Sequence, residues 1–183
     1  MATAFTETAM HATLHRLFRY KAWADEELLA TLAGLGATHP IMPLALKALA
    51  HVHAVDRIFA AHLRCEPHDY ASANPEQTPL LDVLTAQLRA SDREYLAYVP
   101  ALDDAQLWER IAFAFTDSQP GCMSREEMLL HVINHGSGHR GQVSALLLLH
   151  GLAPARDGFT TWLHEAEAAT RGRGARRAAA EAG

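Results

Sequence analysis

The sequence predicts an all-α protein: an antiparallel four-helix bundle with a short strand or hairpin before its fourth helix and a short C-terminal helix. Three observations lead there. Four long stretches carry apolar side chains at the spacing of one helical face. Helix punctuation falls between them, in Gly34 and Gly36, Pro40 and Pro43, Thr78-Pro79, Ser124-Arg-Glu-Glu127, and Gly151 with Pro154. The connections are mostly short, which places successive helices side by side in opposite directions.

The first helix is expected over about residues 6–33, closed by Gly34 and Gly36. Pro40 and Pro43 mark the lead-in to the second, which runs to about Leu63. A polar loop from Cys65 to Gln77 follows, containing Pro67, Asn74 and Pro75. Thr78 reads as an N-cap with Pro79 at the first helical position, opening a third helix that stops at Pro100. From Trp108 to Phe115 the period changes: Ile111, Phe113 and Phe115 alternate with Arg110, Ala112 and Ala114, and Asp117-Ser-Gln-Pro-Gly121 turns the chain. Ser124 and Glu127 form a capping box for the fourth helix, which continues to about His150. A short fifth helix is expected over about 160–170. Residues 1–170 thus read as one domain, and 171–183 as a disordered Arg/Gly/Ala tail.

With 183 residues, 49% of them hydrophobic and 20% charged, the chain can bury a substantial core. The net charge of -5 is uneven. Four arginines against Glu181 make the tail +3, leaving -8 on residues 1–170. An acidic body argues against nucleic acid as the partner of the main domain. Cys65 and Cys122 are the only cysteines and form no CxxC pair, so neither a disulfide framework nor a thiolate zinc site is expected. The first residues have neither a basic nor an apolar segment of the kind that starts a signal peptide, and no apolar run approaches a membrane span. The expectation is a cytoplasmic protein.

Chemistry concentrates in His131-Val-Ile-Asn-His-Gly-Ser-Gly-His-Arg-Gly-Gln142. His135 and His139 are four residues apart in the middle of the apolar face of the fourth helix, beside Met128, Val132, Gln142 and Leu146. Residues at this spacing stand one above the other, so two imidazoles can converge on one ion. His131 lies towards the edge of that face. Gly136 and Gly138 each cost a helix about 1 kcal/mol relative to Ala; beside potential ligands they read as room for a ligand above a metal. On the second helix, His51 and His62 share the inward stripe with Leu44, Ala48, Val55 and Ile58, whereas His53 falls opposite and reads as solvated. Histidine from each of two facing helices makes a three-nitrogen site, the set a catalytic zinc ion uses when its fourth position stays open. His51 or His62 could complete it, with His62 better read as a core residue. Imidazole also suits nickel, iron or copper. His11, His15, His39, His68, His150 and His164 read as surface or loop residues. Phe18, Tyr20 and Trp23 read as packing or interface residues. There is no Glu-x-x-His pair, no phosphate-binding glycine loop and no Gly-x-Ser-x-Gly elbow.

Three segments together resemble the DinB family of metal-binding four-helix bundles: Leu17-Phe-Arg-Tyr-Lys-Ala-Trp-Ala-Asp-Glu-Glu-Leu-Leu29, Ala50-His-Val-His-Ala-Val-Asp-Arg-Ile-Phe59 and Asn134-His-Gly-Ser-Gly-His-Arg-Gly-Gln142. The resemblance covers nearly all of residues 10–165 and implies the ligand set His51, His135 and His139. Asp56 and Arg57 stand where the family carries similar residues. It further implies a divalent cofactor (zinc first, nickel or iron next), a homodimer, and activities such as transfer of low-molecular-weight thiols.

Two functions follow as expectations. One is a metal-dependent enzyme, such as a thiol S-transferase acting on small electrophiles. The other is a non-catalytic metal-binding module with a structural or sensing role. The fourth position of the ion separates them.

Overall fold

A computed structural model describes residues 2–169, 171 and 172, with side chains from Met10 onward. The helices are α1 (Ala2–Leu35), α2 (Met42–Leu63), α3 (Leu81–Ala101), α4 (Asp104–Trp108), α5 (Arg125–Leu149) and α6 (Phe159–Ala166). Strands β1 (Arg110–Ala114) and β2 (Pro120–Ser124) lie between α4 and α5. The all-α bundle expected from sequence is what forms, built from α1, α2, α3 and α5.

Each long helix packs against two others: α1 and α2 both lie between α3 and α5. One core cluster joins Leu14 and Phe18 of α1 with Val55, Phe59 and Leu63 of α2, Tyr95 and Val99 of α3, and Met128 and Val132 of α5. A second joins Leu28 and Leu32, Met42 and Leu49, Leu84 and Leu88, and Val143 and Leu147. The end of α1 therefore meets the starts of α2 and α3 and the end of α5. The most extensive pairs, α1 with α3 and α2 with α5, are antiparallel, while α2 runs parallel to α3. That parallel pair requires the long segment 64–80 to carry the chain back along the bundle.

Local signals set most boundaries. Ser124 accepts a hydrogen bond from the Glu127 amide at 3.0 Å, and the Glu127 carboxylate accepts one from the Ser124 amide at 2.7 Å, closing the capping box of α5. At its other end Gly151, with φ 71°, lets Leu152 and Gly151 donate back to Leu147 and Leu148. The alternation at 110–115 becomes the expected hairpin, with Phe113 opposite Gly121. A Cβ at Gly121 would lie 2.6 Å from the Phe113 ring, so the glycine is the seat of that ring.

Three boundaries differ from the sequence reading. Helix α3 begins at Leu81 rather than Pro79; Leu80, not Thr78, is its extended N-cap and makes no side-chain cap bond. The buried stripe of α3 starts only at Leu84, so nothing packs against an earlier turn to hold it. Pro100 sits inside the last turn of α3 instead of ending it. The short helix α4 has no counterpart in the sequence reading, although Asp103 and Gln106 carry its capping box.

Tyr20 and Trp23 are covered by α6 through Phe159 and Trp162. Of the tail expected from residue 171, Arg171 pairs with Glu167 at 2.8 Å, and residues 173–183 lie outside the described residues.

Candidate metal centre

Helices α2 and α5 bring three imidazoles together. His51 comes from the middle of α2, and His135 and His139 from successive turns of α5. Their ring centroids are 4.9, 4.8 and 4.5 Å apart. One nitrogen from each lies within 4.8 Å of the others, and this is the one group of three or more such ligands among the described residues.

The outer hydrogen bonds select which nitrogen faces inward. His51 Nδ1 lies 2.8 Å from the carbonyl oxygen of Ala73, in the segment joining α2 to α3. Only a protonated Nδ1 can donate there, leaving Nε2 with a bare lone pair. His139 Nδ1 lies 2.8 Å from Gln142 Oε1, which has the same effect. Partners of this kind orient metal-binding histidines. His51 Nε2 and His135 Nε2 are 3.0 Å apart. Two nitrogens about 2.0–2.1 Å from one tetrahedral zinc would be separated by only slightly more. His135 Nδ1 is buried and has no partner.

Electrostatics favour the neutral form of the two α5 rings. His135 has its pKa lowered to about 3, first by burial and then by His139 and His51. His139 is lowered by burial and by His51. The donor set fits a cation: neutral lone pairs aimed at one point, where protons are disfavoured.

The other histidines separate. His131 stacks on His135 with centroids 5.6 Å apart and on Phe59 at 4.5 Å, outside the three-nitrogen group. His62 is buried away from it among Phe59, His68 and Phe113. His53 corrects the sequence reading. It is not a solvated residue but lies half-buried, with Nδ1 3.2 Å from Ser91 Oγ on α3. A wheel with one inward stripe fails because α2 is buried on two sides, against α5 and against α3.

Gly136 is a second correction. It is buried and faces away from the three histidines; a Cβ there would meet Lys21 Cε at 3.3 Å and Arg140 at 3.5 Å. Its role is to let a buried lysine pass behind α5. A Cβ at Gly138 would meet nothing within 4 Å, so space above the helix remains there.

Sequence reasoning missed that lysine and its partners. Lys21 is fully buried and donates to Asp25 at 2.9 Å, Asp56 at 3.0 Å and Asp92 at 2.8 Å. Arg140 donates to Asp25 at 3.0 Å and to Asp157 at 2.9 Å. Tyr95 donates to the Asp56 carbonyl at 2.6 Å. The network ties α1, α2, α3 and α5 together behind the imidazoles. Two cations cannot neutralise three buried carboxylates and the half-buried Asp157, and burial pushes the Asp56 carboxyl up to about 7. The available signal is the position of Lys21 and Asp25 on the same stripe as Leu14, Phe18, Leu28 and Leu32.

The profile of the DinB family matches residues 10–172, nearly the whole described chain. The chain belongs to the DinB family. It is similar to Protein DinB of Bacillus subtilis (strain 168), with 25% identity over 161 residues, covering 81% of this chain and 92% of that protein. No helix among the described residues is long and apolar enough to cross a membrane.

Proposed function

We propose that this DinB-family protein is a divalent-metal-dependent enzyme that activates a small molecule, such as a low-molecular-weight thiol, for transfer to an electrophile. His51, His135 and His139 are the proposed ligands, and zinc is the first choice of ion. The observation that carries the proposal is the donor count: three imidazoles converge, and no carboxylate or thiolate among the described residues joins them. A structural site is normally closed by four protein ligands, whereas a catalytic one keeps a position open.

When bound, a divalent ion on three neutral ligands supplies an uncompensated positive charge that lowers the pKa of a coordinated water or thiol towards neutrality. The chain does the rest. Ala73 and Gln142 hold two rings in the tautomer that presents Nε2. Burial of His135 keeps its lone pair free of a proton. A Cβ at Gly138 would meet nothing within 4 Å, so the α5 surface one residue before His139 is uncrowded.

The proposal includes a homodimer. Leu44, Leu80, Val83, Leu148 and Leu149 are all exposed, and they come from the end of the bundle where α2 and α3 begin and α5 finishes.

The test starts with metal analysis of protein purified without chelators or an affinity tag. His51→Ala, His135→Ala and His139→Ala should each lose stoichiometric metal while keeping their helical circular dichroism. Thiols are then screened against electrophiles with the metal-loaded protein. Retention of one equivalent at native affinity by any of the three variants refutes the ligand set. A full metal site with no exchangeable position and no turnover would instead favour a structural or sensing module.

A further inference from the structure

A second pair of imidazoles lies at the far end of α2. His62 is in the last turn of that helix, and His68 in the segment that follows. Cys65, with φ 56°, takes the left-handed position just past the helix. The Cys65 and Glu66 amides then donate to the His62 and Ala61 carbonyls, each at 3.0 Å. This is the bonding pattern of a Schellman motif, with cysteine where glycine is usual. The reversal folds His68 back onto His62.

The resulting pair resembles the pairs in the metal centre. Its ring centroids are 5.1 Å apart with planes at 65°, against 4.5–4.9 Å and 58–67° for His51, His135 and His139. His62 is only 8% exposed. Each ring has a buried nitrogen without a partner, Nε2 in His62 and Nδ1 in His68. Buried polar atoms almost always have partners, and here two neighbouring rings each leave one nitrogen unsatisfied. Among the described residues no carboxylate pairs with either ring; Phe59 and Phe113 lie against His62, and Tyr70 lies against His68, which also lines an open pocket with Arg57, Arg64, Glu66 and Asp69. His62 is kept neutral by burial and by the field of His68, which leaves its lone pair available.

We propose that His62 and His68 form a second, independent metal site that takes a monovalent copper ion. On two neutral ligands a monovalent ion carries half the uncompensated charge of a divalent one, and the cost of desolvating an ion grows with the square of its charge. Monovalent copper accepts two-coordination, and imidazole is among the ligands that suit copper. The eleven steps along α2 from His51 to His62 correspond to about 16 Å of helix, too far for the two sites to share an ion.

The full-length, untagged protein is loaded with one equivalent of zinc and titrated anaerobically with monovalent copper against bicinchoninate, with both metals counted. The wild type should bind one copper and keep its zinc. His68→Ala and His62→Phe should weaken copper binding at least 100-fold and retain zinc, while His135→Ala should lose zinc and retain copper. His68 is only partly buried, so its variant remains a fair test if His62→Phe does not fold. Copper that merely displaces zinc, no copper held against the chelator, or unchanged affinity in His68→Ala would overturn the proposal. So would copper absorption spectra showing a sulfur ligand, since the site is assigned to two imidazoles.

Discussion

His51 and His53 stand two residues apart on α2 and meet different surroundings, one a carbonyl and two imidazoles, the other a serine on α3. Because His53 is packed and hydrogen-bonded, His53→Ala should keep its metal but lose about 1–2 kcal/mol of stability, more than a solvated residue would cost. Chemical denaturation of metal-loaded protein would measure it, and a change near zero would contradict the packing described. Titration adds a second check. Burial holds the pKa of His53 at about 4, against 6.5 for an ordinary histidine. Between those values the unfolded chain takes up the proton and the folded chain does not, so this residue's contribution is complete above pH 6.5 and is lost as the pH falls to 4. Asp56 has the opposite sign. With its pKa raised to about 7 from 3.8, it favours the folded state fully below pH 3.8 and loses that contribution as the pH rises through 7. Relative to wild type, Asp56→Asn should therefore gain stability as the pH rises from 4 to 7, read from melts across that range. A difference that stays flat would mean Asp56 is ionised throughout.

At the scale of the element, the glycines of α5 divide by what their Cβ would meet. Gly138→Ala adds a methyl to open space and should raise stability by about 0.5–1 kcal/mol through helix propensity alone. Gly136→Val pushes against Lys21 and Arg140 and should cost about 1–3 kcal/mol. Urea unfolding of both variants would test the contrast, and equal effects would refute it. The sequence is most legible where a local rule decides the outcome. The Ser124–Glu127 box, Gly151 and the alternation at 110–115 each act over a few residues and require no knowledge of neighbours. His135 and His139 are legible for the same reason, since four-residue spacing on one helix is local geometry. Legibility fails where two partners decide together. His53 needs the position of α3, Gly136 needs a lysine from α1, and the start of α3 depends on where burial begins. Lys21 is hidden by its charge, because an inward stripe is normally traced through apolar residues.

Across the whole molecule, the Lys21 network sets how the helices sit behind the imidazoles. Lys21→Met would leave Asp25, Asp56 and Asp92 without their shared cation and should cost about 3–5 kcal/mol, the range for removing one partner of a buried ion pair. A thermal melt that matched wild type would show that the network does not bear on stability. The proposed homodimer is checked by light scattering at micromolar concentration, where about twice the chain mass of 20.0 kDa is expected and a monomer would refute it. The segment 64–80 also has a second use. It exists because α2 and α3 run in the same direction, yet its Ala73 carbonyl fixes the tautomer of His51. Connector and ligand support are thus one piece of chain. If the three histidines hold an ion as proposed, a protease that nicked this segment would leave every helix and every histidine intact and still weaken that hold, making backbone continuity there part of the site's affinity.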